Sequence, residues 1–465
     1  MLKFQNTLTG RLDEFQPLAP PRVSMYCCGP TVHDFAHIGN YRTFVFEDIL
    51  NRYLRYRGYD VHYVMNITDI DDKTIQKSQA AGMSLADYTE KYTQAFLEDL
   101  ATLRIRKPEV VCKATEHIPE MVALVESLAA RGYTYESDGS VYYKIASFPD
   151  YGKLSKKDFA GIQSGARVDA DEYEKENARD FVLWKGRKEG EPGWDTSFGP
   201  GRPGWHLECS AMSMKYLGES FDLHCGGTDL VFPHHENEIA QSEGATGRPF
   251  VKYWLHSEYL IVNGEKMSKS KGNFYTLRDL TARGFQPPAI RYLLLSVHYR
   301  KQLNFTEEGL RYAQASVERI REFADTLQRK VLPDGEEPEV ADRCTGFLRG
   351  FEAGLDDDLN TAAALAALFD FIRDINRRLA EGKLRARERD RVLAALRQAD
   401  QVLDVLPEAD AGTGADEAVL ELVRQREAAR KEKRWKDADV LRDRLKEMGI
   451  VIKDTPEGTV WRRES

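Results

Sequence analysis

The stretch Arg22-Val-Ser-Met-Tyr-Cys-Cys28, followed at once by Gly29-Pro30, decides the fold class. Its short apolar run predicts a strand, which the Gly-Pro pair ends. Val61 to Ile67 alternates as a second strand. Between the two strands, apolar residues recur at helical spacing, namely Phe46, Ile49, Leu50, Tyr53 and Leu54. We therefore expect a βαβ unit, which begins a parallel sheet with nucleotide-binding potential.

The rest of the first 300 residues predicts more α/β structure around an irregular segment. Residues 136–205 look irregular and resemble an insertion. A second α/β section begins near Trp205. In it we expect a strand at Phe221–Cys225, a turn at Gly226-Gly227, a helix from Pro233 to Glu243 with proline in its first turn, a strand from Trp254 to Val262 and a hairpin turn at Asn263-Gly264.

The last third of the chain reads as helical, with a basic tail. Residues 360–403 predict two helices of a bundle, and residues 407–417 form a polar linker. The net charge of the chain is −9, yet residues 421–465 carry 13 Lys and Arg against 10 Asp and Glu. This basic tail on an acidic body indicates a localised anionic partner and argues against a general polyanion binder.

Length and composition predict a cytoplasmic protein of about three domains. There are 465 residues, and the mean hydropathy is −0.53. No apolar run approaches the ~18 residues of a membrane span. The start of the chain lacks the apolar core of a secretory signal. The 6 cysteines are few for this length, which indicates reduced thiols and candidate metal ligands, and argues against a disulfide framework.

Two segments carry residues suited to phosphate. The first, Thr31-Val-His-Asp-Phe-Ala-His-Ile-Gly-Asn40, places His37 at a helix start, where free N–H groups attract anions, and Gly39 would let a nucleotide approach. On these residues alone, a histidine that caps its own helix is an equal alternative. The second, Lys266-Met-Ser-Lys-Ser-Lys-Gly272, crowds three lysines that a polyphosphate would neutralise, although a solvated basic loop is the usual reading of such a run.

Together the two segments resemble the HIGH and KMSKS signatures of class I aminoacyl-tRNA synthetases. The resemblance implies that His37, Asn40, Lys266 and Lys269 hold ATP and stabilise the pentavalent phosphate during amino-acid activation. Asn40 stands where the signature has its last histidine. An asparagine donates a hydrogen bond but carries no positive charge, so the role of this position stays open.

Four further residues offer donor atoms that zinc binds: Cys28, Cys209, His234 and Glu238. Their spacing is not that of a compact zinc site, and from spacing alone two buried apolar cysteines are the better interpretation. Five motifs surround these donors or follow them along the chain: Asn66-Ile-Thr-Asp-Ile-Asp-Asp-Lys73, Trp205-His-Leu-Glu-Cys-Ser210, His224-Cys-Gly-Gly-Thr-Asp-Leu230, Phe232-Pro-His-His-Glu-Asn-Glu-Ile-Ala-Gln241 and Asp356-Asp-Asp-Leu-Asn-Thr-Ala-Ala363. These motifs are very similar to those of cysteinyl-tRNA synthetase.

The resemblance to this family implies ligands and substrates. One zinc per chain, bound by the four donors, would grip the thiolate of L-cysteine, and Mg²⁺ would accompany ATP. An apolar pocket would discriminate cysteine from serine only ~10–200-fold. Zinc favours the soft thiolate of cysteine over the hydroxyl of serine. Four protein ligands would nevertheless close a tetrahedral site, so either zinc becomes five-coordinate or one ligand is loose. Substrate and ATP would meet Gly29, Thr31, Gly39, Trp205, Asp229 and Lys269. Asp229 would bind ribose, with a helix cap as the alternative; the roles of His206 and His224 stay open.

The family also implies the domain order and the partner. A Rossmann-like catalytic domain, 1–110 and 205–300, would be interrupted by an inserted domain, 111–204, and followed by a helical bundle, 301–406, and an anticodon-binding domain, 418–465. Anticodon bases of tRNA(Cys) would meet Arg430, Asp439 and Asp454. Trp435 would stack on a base, although a place in the core is equally expected. We expect a monomer.

The sequence argues against two other functions. A ligase that joins cysteine to an aminosugar has no need of the basic tail. A tRNA-binding protein that has lost activity would not need His37, Lys266 and Lys269.

Overall fold

The computed structural model of the chain describes residues 1–156, 180–335, 337–406, 413–455 and 458–463. The strands are β1 (Lys3–Asn6), β2 (Arg11–Glu14), β3 (Arg22–Cys27), β4 (Asp60–Ile67), β5 (Val110–Lys113), β6 (Thr134–Ser137), β7 (Ser140–Tyr143), β8 (Phe181–Gly186), β9 (Gly201–Pro203), β10 (Phe221–Gly227), β11 (Val251–Ser257), β12 (Leu260–Val262), β13 (Glu265–Lys266), β14 (Leu303–Phe305), β15 (Ile450–Thr455) and β16 (Gly458–Arg463).

The helices are α1 (Ile38–Tyr56), α2 (Asp72–Ala80), α3 (Leu85–Thr102), α4 (Ile118–Ala130), α5 (Trp205–Leu217), α6 (Glu236–Thr246), α7 (Leu277–Ala282), α8 (Pro287–Leu295), α9 (Glu307–Arg329), α10 (Pro338–Asp356), α11 (Thr361–Ala380), α12 (Ala386–Leu403), α13 (Thr413–Lys431) and α14 (Trp435–Glu447). No described helix is long and apolar enough to cross a membrane.

The centre of the first part of the chain is a parallel sheet of five strands in the order β11-β10-β3-β4-β5. The predicted βαβ unit is confirmed as β3, α1 and β4, although the first strand ends at Cys27, one residue earlier than expected. The apolar side chains of β3 and β4 are buried, as expected for strands covered on both faces. Strand order reverses between β3 and β10, and ligands of such sheets bind outside the carboxyl ends of the strands at this point.

Two of the local predictions around β10 and β11 are wrong. Gly226 and Gly227 are not a turn, because they pair with His256 and Ser257 and extend β10. The expected single strand from Trp254 to Val262 is two strands, since β11 ends at Ser257 and β12 starts at Leu260. The hairpin turn at 263–264 is confirmed, because β12 and β13 pair antiparallel on either side of it.

The helix expected from Pro233 to Glu243 begins later. A single π-helical turn, Val231–His235, contains Phe232 in an extended conformation, and α6 starts only at Glu236. Proline is therefore not in the first turn of α6. His234 and Glu238 still lie close together because the π turn runs directly into the helix.

The segment predicted to be irregular contains an antiparallel sheet in its described part. Its order is β6-β7-β8-β9, and its buried side chains include Tyr142, Tyr143 and Trp184. Residues 157–179 of the predicted segment lie outside the described residues. The sheet was missed because its strands are short and β7 pairs with β8, whose residues follow much later in the sequence.

The chain divides into two compact units. The first comprises residues 1–287, 297–306 and 356–359, and the second 288–296, 307–355 and 360–465. In the second unit α11 and α12 confirm the two helices expected over 360–403. Of the expected linker, residues 407–412 lie outside the described residues, and α13 already begins at Thr413. The last four elements, α13, α14, β15 and β16, share a small core that includes Val423, Leu445 and Trp461.

Candidate active site

The predicted site residues of the first unit gather at the carboxyl edge of the parallel sheet. Cys28 and Gly29 directly follow β3, and Asp229 follows β10. Gly29 lies so close to the end of β4 that a Cβ there would come within 1.7 Å of the Asn66 carbonyl oxygen. Its N–H donates to Asn66 Oδ1 at 2.8 Å. Glycine is therefore required here for packing, and the packing fixes Cys28 beside the sheet.

All four predicted metal ligands come together and are buried. The Sγ atoms of Cys28 and Cys209 are 3.9 Å apart, and Cys28 Sγ is 4.0 Å from Glu238 Oε1. His234 Nε2 lies 3.1 Å from the same Oε1. Two thiolates bound to one tetrahedral zinc at ~2.3 Å would be separated by about 3.8 Å. The donor types and the distance between the two sulfur atoms therefore fit a zinc-sized ion.

His235 is a further donor that the sequence analysis missed. Its Nε2 lies 3.3 Å from Cys28 Sγ and 3.9 Å from Glu238 Oε1. Donor atoms of Cys28, His234, His235 and Glu238 all lie within 4.8 Å of one another. The signal available in the sequence was its position, next to His234 and three residues before Glu238 on the same helical segment.

A second group of side chains orients these donors. His224 Nε2 lies 2.9 Å from Glu238 Oε2, and His206 Nδ1 lies 2.8 Å from His234 Nδ1. The Trp205 ring stacks on the His234 ring with centroids 4.3 Å apart. His206 and His224, whose roles the sequence left open, thus each contact one of the candidate metal ligands. Partners of this kind hold metal-binding side chains in one orientation.

The charges differ from donor to donor in the cluster. Burial raises the pKa of the Cys28 thiol. Burial lowers the pKa of His234, whereas its contacts with Glu238 and Cys209 outweigh burial and raise the pKa to about 10. Burial raises the pKa of Glu238, but His224 and His234 outweigh it and bring the pKa to about 2. Burial also raises the pKa of Cys209, whereas its contacts with Cys28 and His234 lower it to about 6. The pocket thus favours a carboxylate and a thiolate at neutral pH, which are the forms that bind cations.

The structure shows what His37 and Asn40 do at the start of α1. His37 Nδ1 accepts from the Asn40 N–H at 3.2 Å, and Asn40 Oδ1 accepts from the His37 N–H at 3.0 Å. This reciprocal pair is a capping box, so the alternative that His37 caps its own helix is confirmed. A Cβ on Gly39 would meet the His37 ring at 3.0 Å and Met267 Cε at 3.2 Å. The two signature segments are therefore neighbours.

The lysine segment, residues 266–272, begins at the last residue of β13. Lys266 is exposed on β13, and Lys271 Nζ pairs with Glu265 Oε2 at 2.8 Å. Asn273 Oδ1 accepts from the Ser268 N–H at 2.8 Å, which shapes the turn. The side chain of Lys269 lies outside the described residues.

Two predicted nucleotide contacts lie at neighbouring strand ends. Asp229 is exposed in the short turn Thr228–Leu230, and the helix cap of α6 is His235. The alternative that Asp229 caps that helix is therefore wrong. Thr31 bridges to Thr68, just beyond β4.

In the terminal domain two of the three predicted anticodon residues contact each other. Asp454 accepts from both terminal nitrogens of Arg426, at 2.8 and 2.9 Å, and also pairs with Arg430. Asp439 is exposed on α14. The Trp435 side chain is 59% exposed, so the alternative that it belongs to the core is wrong.

Comparison with known proteins agrees with this geometry. Residues 14–315 match the family described as tRNA synthetases class I (C) catalytic domain, residues 350–406 match the DALR domain, and residues 413–462 match the cysteinyl-tRNA ligase anticodon binding domain. A cysteine–tRNA ligase from Solibacter usitatus is 53% identical over the full length of both chains. One from Chlamydia muridarum is 50% identical over 97% of this chain and 98% of its own.

A solved methionyl-tRNA synthetase from Mycobacterium tuberculosis, in complex with methionyl-adenylate, shares the fold. Its TM-score is 0.62 at 16% identity, over 83% of this chain and 90% of that one. The parallel sheet with both signature segments at its carboxyl edge is the catalytic fold of a class I aminoacyl-tRNA synthetase. Within that class, the chain belongs to the cysteine–tRNA ligase family. It charges tRNA(Cys) with cysteine, using ATP.

Proposed function

We infer that the buried cluster selects cysteine by holding a zinc ion, which would bind the substrate thiolate. The observation that carries this proposal is the meeting of Cys28, Cys209, His234 and Glu238. The two sulfur atoms are 3.9 Å apart, and Glu238 Oε1 lies 4.0 Å from Cys28 Sγ and 3.1 Å from His234 Nε2. Zinc would supply a soft Lewis acid that favours a deprotonated sulfur over a hydroxyl. The chain places a fifth donor, His235, 3.3 Å from Cys28 Sγ, and His235 would be available to hold the ion beside the other four.

The side chains around the cluster hold the amino acid in place. Trp205, 37% exposed, stacks on the ring of the buried His234 and would contact a substrate held by the cluster. Gly29 lies between Cys28 and the end of β4, where the carboxylate of cysteine would approach the α-phosphate of Mg-ATP. The attack of that carboxylate gives cysteinyl-adenylate and pyrophosphate. Catalysis here is positioning and charge stabilisation, since no side-chain nucleophile is required.

The signature segments act on the phosphates. His37 sits at the N-terminus of α1, whose dipole favours anions, and Lys266 and Lys269 supply positive charge to the departing pyrophosphate. Asp229 accepts hydrogen bonds from the ribose, and Thr31 and Gly39 border the nucleotide. Asn40 contributes through the capping box, which orients His37.

The terminal domain reads the anticodon in this proposal. Arg430, Asp439 and Asp454 meet the bases, and Asp454 also holds Arg430 in place. The domain boundaries given by the sequence, a monomeric state and a cytoplasmic location belong to the same proposal. A charging enzyme with its own acceptor-end and anticodon modules needs no second copy to span its tRNA.

One experiment tests the substrate and the metal together. Amino-acid-dependent ATP–pyrophosphate exchange is measured across a panel of amino acids, with metal analysis of the same preparation. We expect one zinc per chain and exchange with cysteine but not with serine. A metal-free enzyme that still rejects serine would refute the zinc proposal.

The lysine segment has its own test. Lys269→Ala should lower the rate of activation far more than it weakens ATP binding, because charge grows on the phosphates as pyrophosphate leaves. Equal effects on the two quantities would mean that the lysine only binds ground-state ATP.

A further inference from the structure

Arg42 is a buried cation on α1 whose role the activity does not explain. Its side chain lies one turn after His37, and only 1% of it is exposed. Nε donates to the Glu258 carbonyl at 3.2 Å, and Nη2 donates to the carbonyls of His298 and Lys301 at 3.1 and 2.7 Å. Burial lowers the pKa of Arg42 to about 10, so it keeps its charge at neutral pH. A buried charge is retained only where hydrogen-bond partners compensate for lost water.

The three carbonyls lie in the loops that lead into the small sheet of β12, β13 and β14. We call the β12–β13 pair, which carries Lys266, the lysine hairpin. Glu258 stands between β11 and β12, and Lys301 shortly precedes β14. Strand β12 pairs with β14 on one side and with β13 on the other. Strand β13 carries Lys266. Two strands of this small sheet, β12 and β14, therefore begin two residues after a carbonyl group that Arg42 binds.

The same helix holds the surrounding chain at further points. Phe46, one turn beyond Arg42, stacks on Tyr299 with centroids 4.2 Å apart. The Glu258 N–H donates to the Tyr299 carbonyl at 2.8 Å, which ties the two loops together. At the far end of the lysine segment, the Ile38 N–H donates to the Tyr275 carbonyl at 2.9 Å. Residues 258–276 are thus attached to the first turns of α1 at both ends.

We propose that Arg42 is a positioning residue for amino-acid activation, which sets the place of the lysine segment relative to His37 by binding the loops before β12 and β14. The guanidinium suits this task because its donors point in several fixed directions from one rigid plane. A lysine in the same place is a single point charge and would not hold carbonyls of two separate loops together. A displacement of ~1 Å at a reacting group costs up to ~100-fold in rate.

The inference rests on the proposed role of Lys266 and Lys269, and the test separates the two ideas. The variant is Arg42→Lys, which keeps the charge. The matched control is Arg52→Lys, on the same helix, where Arg52 binds Asp48 and the Arg104 carbonyl away from the lysine hairpin. Both are assayed by ATP–pyrophosphate exchange and by amide hydrogen exchange of the folded, full-length protein.

We expect Arg42→Lys to lower kcat by ~10- to 100-fold, with the KM for cysteine changed less than about twofold. Amide exchange should rise over residues 258–276 in this variant and stay unchanged there in Arg52→Lys. If Arg42→Lys does not fold, Phe46→Leu is measured in its place. This variant loosens the contact of the same helix with Tyr299 without changing the cation, and it should raise amide exchange over residues 258–276.

Unchanged amide exchange over 258–276, or a loss of kcat equal to that of the control, would overturn the role of Arg42. Lys269→Ala is measured in parallel. If Lys269→Ala is fully active, the proposed function of the lysines fails. If it is impaired while the Arg42 and Phe46 variants leave residues 258–276 unaltered, only the inference about Arg42 fails.

Discussion

Removal of the Trp435 side chain tests whether the terminal domain recognises tRNA through an exposed ring. Trp435 opens α14 and is 59% exposed, in a stretch where residues 431–437 are all exposed. Because the ring packs little against the domain, we expect Trp435→Ala to change the free energy of unfolding by less than about 0.5 kcal/mol. Stacking of one unpaired base on an aromatic ring is worth ~1–3 kcal/mol. The Kd for tRNA(Cys) should therefore rise by about 5- to 150-fold.

The assay is tRNA binding by the full-length protein at fixed salt, alongside cysteine-dependent ATP–pyrophosphate exchange. Exchange should be unaffected, because adenylate formation does not require tRNA. Trp435→Phe keeps a ring and should retain most of the affinity. Tyr312→Ala removes an equally exposed ring from α9, where the side chain is 66% exposed, and should leave the Kd within about twofold. An unchanged Kd in Trp435→Ala would refute the reasoning, since an exposed ring that stabilises neither the domain nor the complex has no role in recognition.

Three other expectations follow from the site and the terminal domain. Cys209→Ser should lower bound zinc and raise the KM for cysteine, measured against Cys344→Ser, a buried thiol on α10; equal zinc in both variants would contradict the ligand role. Asn40→Ala should reduce the free energy of unfolding by ~0.5–2 kcal/mol in denaturant titration, because the His37 N–H loses its acceptor, whereas Asn40→Asp should not. The hydrogen bond from Arg426 lowers the pKa of Asp454 from its ordinary 3.8. The ionised Asp454 therefore stabilises the folded protein fully above about pH 3.8, and this stabilisation is lost as the pH falls through the lowered pKa. Trp461 fluorescence from about pH 6 to about pH 2 should follow this loss, and a wild-type acid transition identical to that of Asp454→Asn would contradict it.

Local pattern was sufficient where a structure depends on a few neighbouring residues. The strand before Gly29-Pro30, the helix with apolar residues from Phe46 to Leu54 and the hairpin at residues 263–264 were all predicted, because backbone preference and side-chain period act over about ten residues. The family resemblance supplied the cysteine substrate and the candidate metal donors Cys28, Cys209, His234 and Glu238. Their chemistry was visible in the sequence, although their proximity was not.

What the sequence by itself determined was therefore the parallel α/β core, the two signature segments, the donor types of the cluster and the basic tail. Only the tertiary structure decided that β7 pairs with β8, that His235 joins the donors, that Trp435 faces solvent and that Arg42 reaches carbonyls of residues 258, 298 and 301. These outcomes depend on which segments distant in sequence come into contact, and that is settled only when the whole chain folds. Burial and the distances between donor atoms depend on that packing, and the local periodicity of the sequence does not predict them.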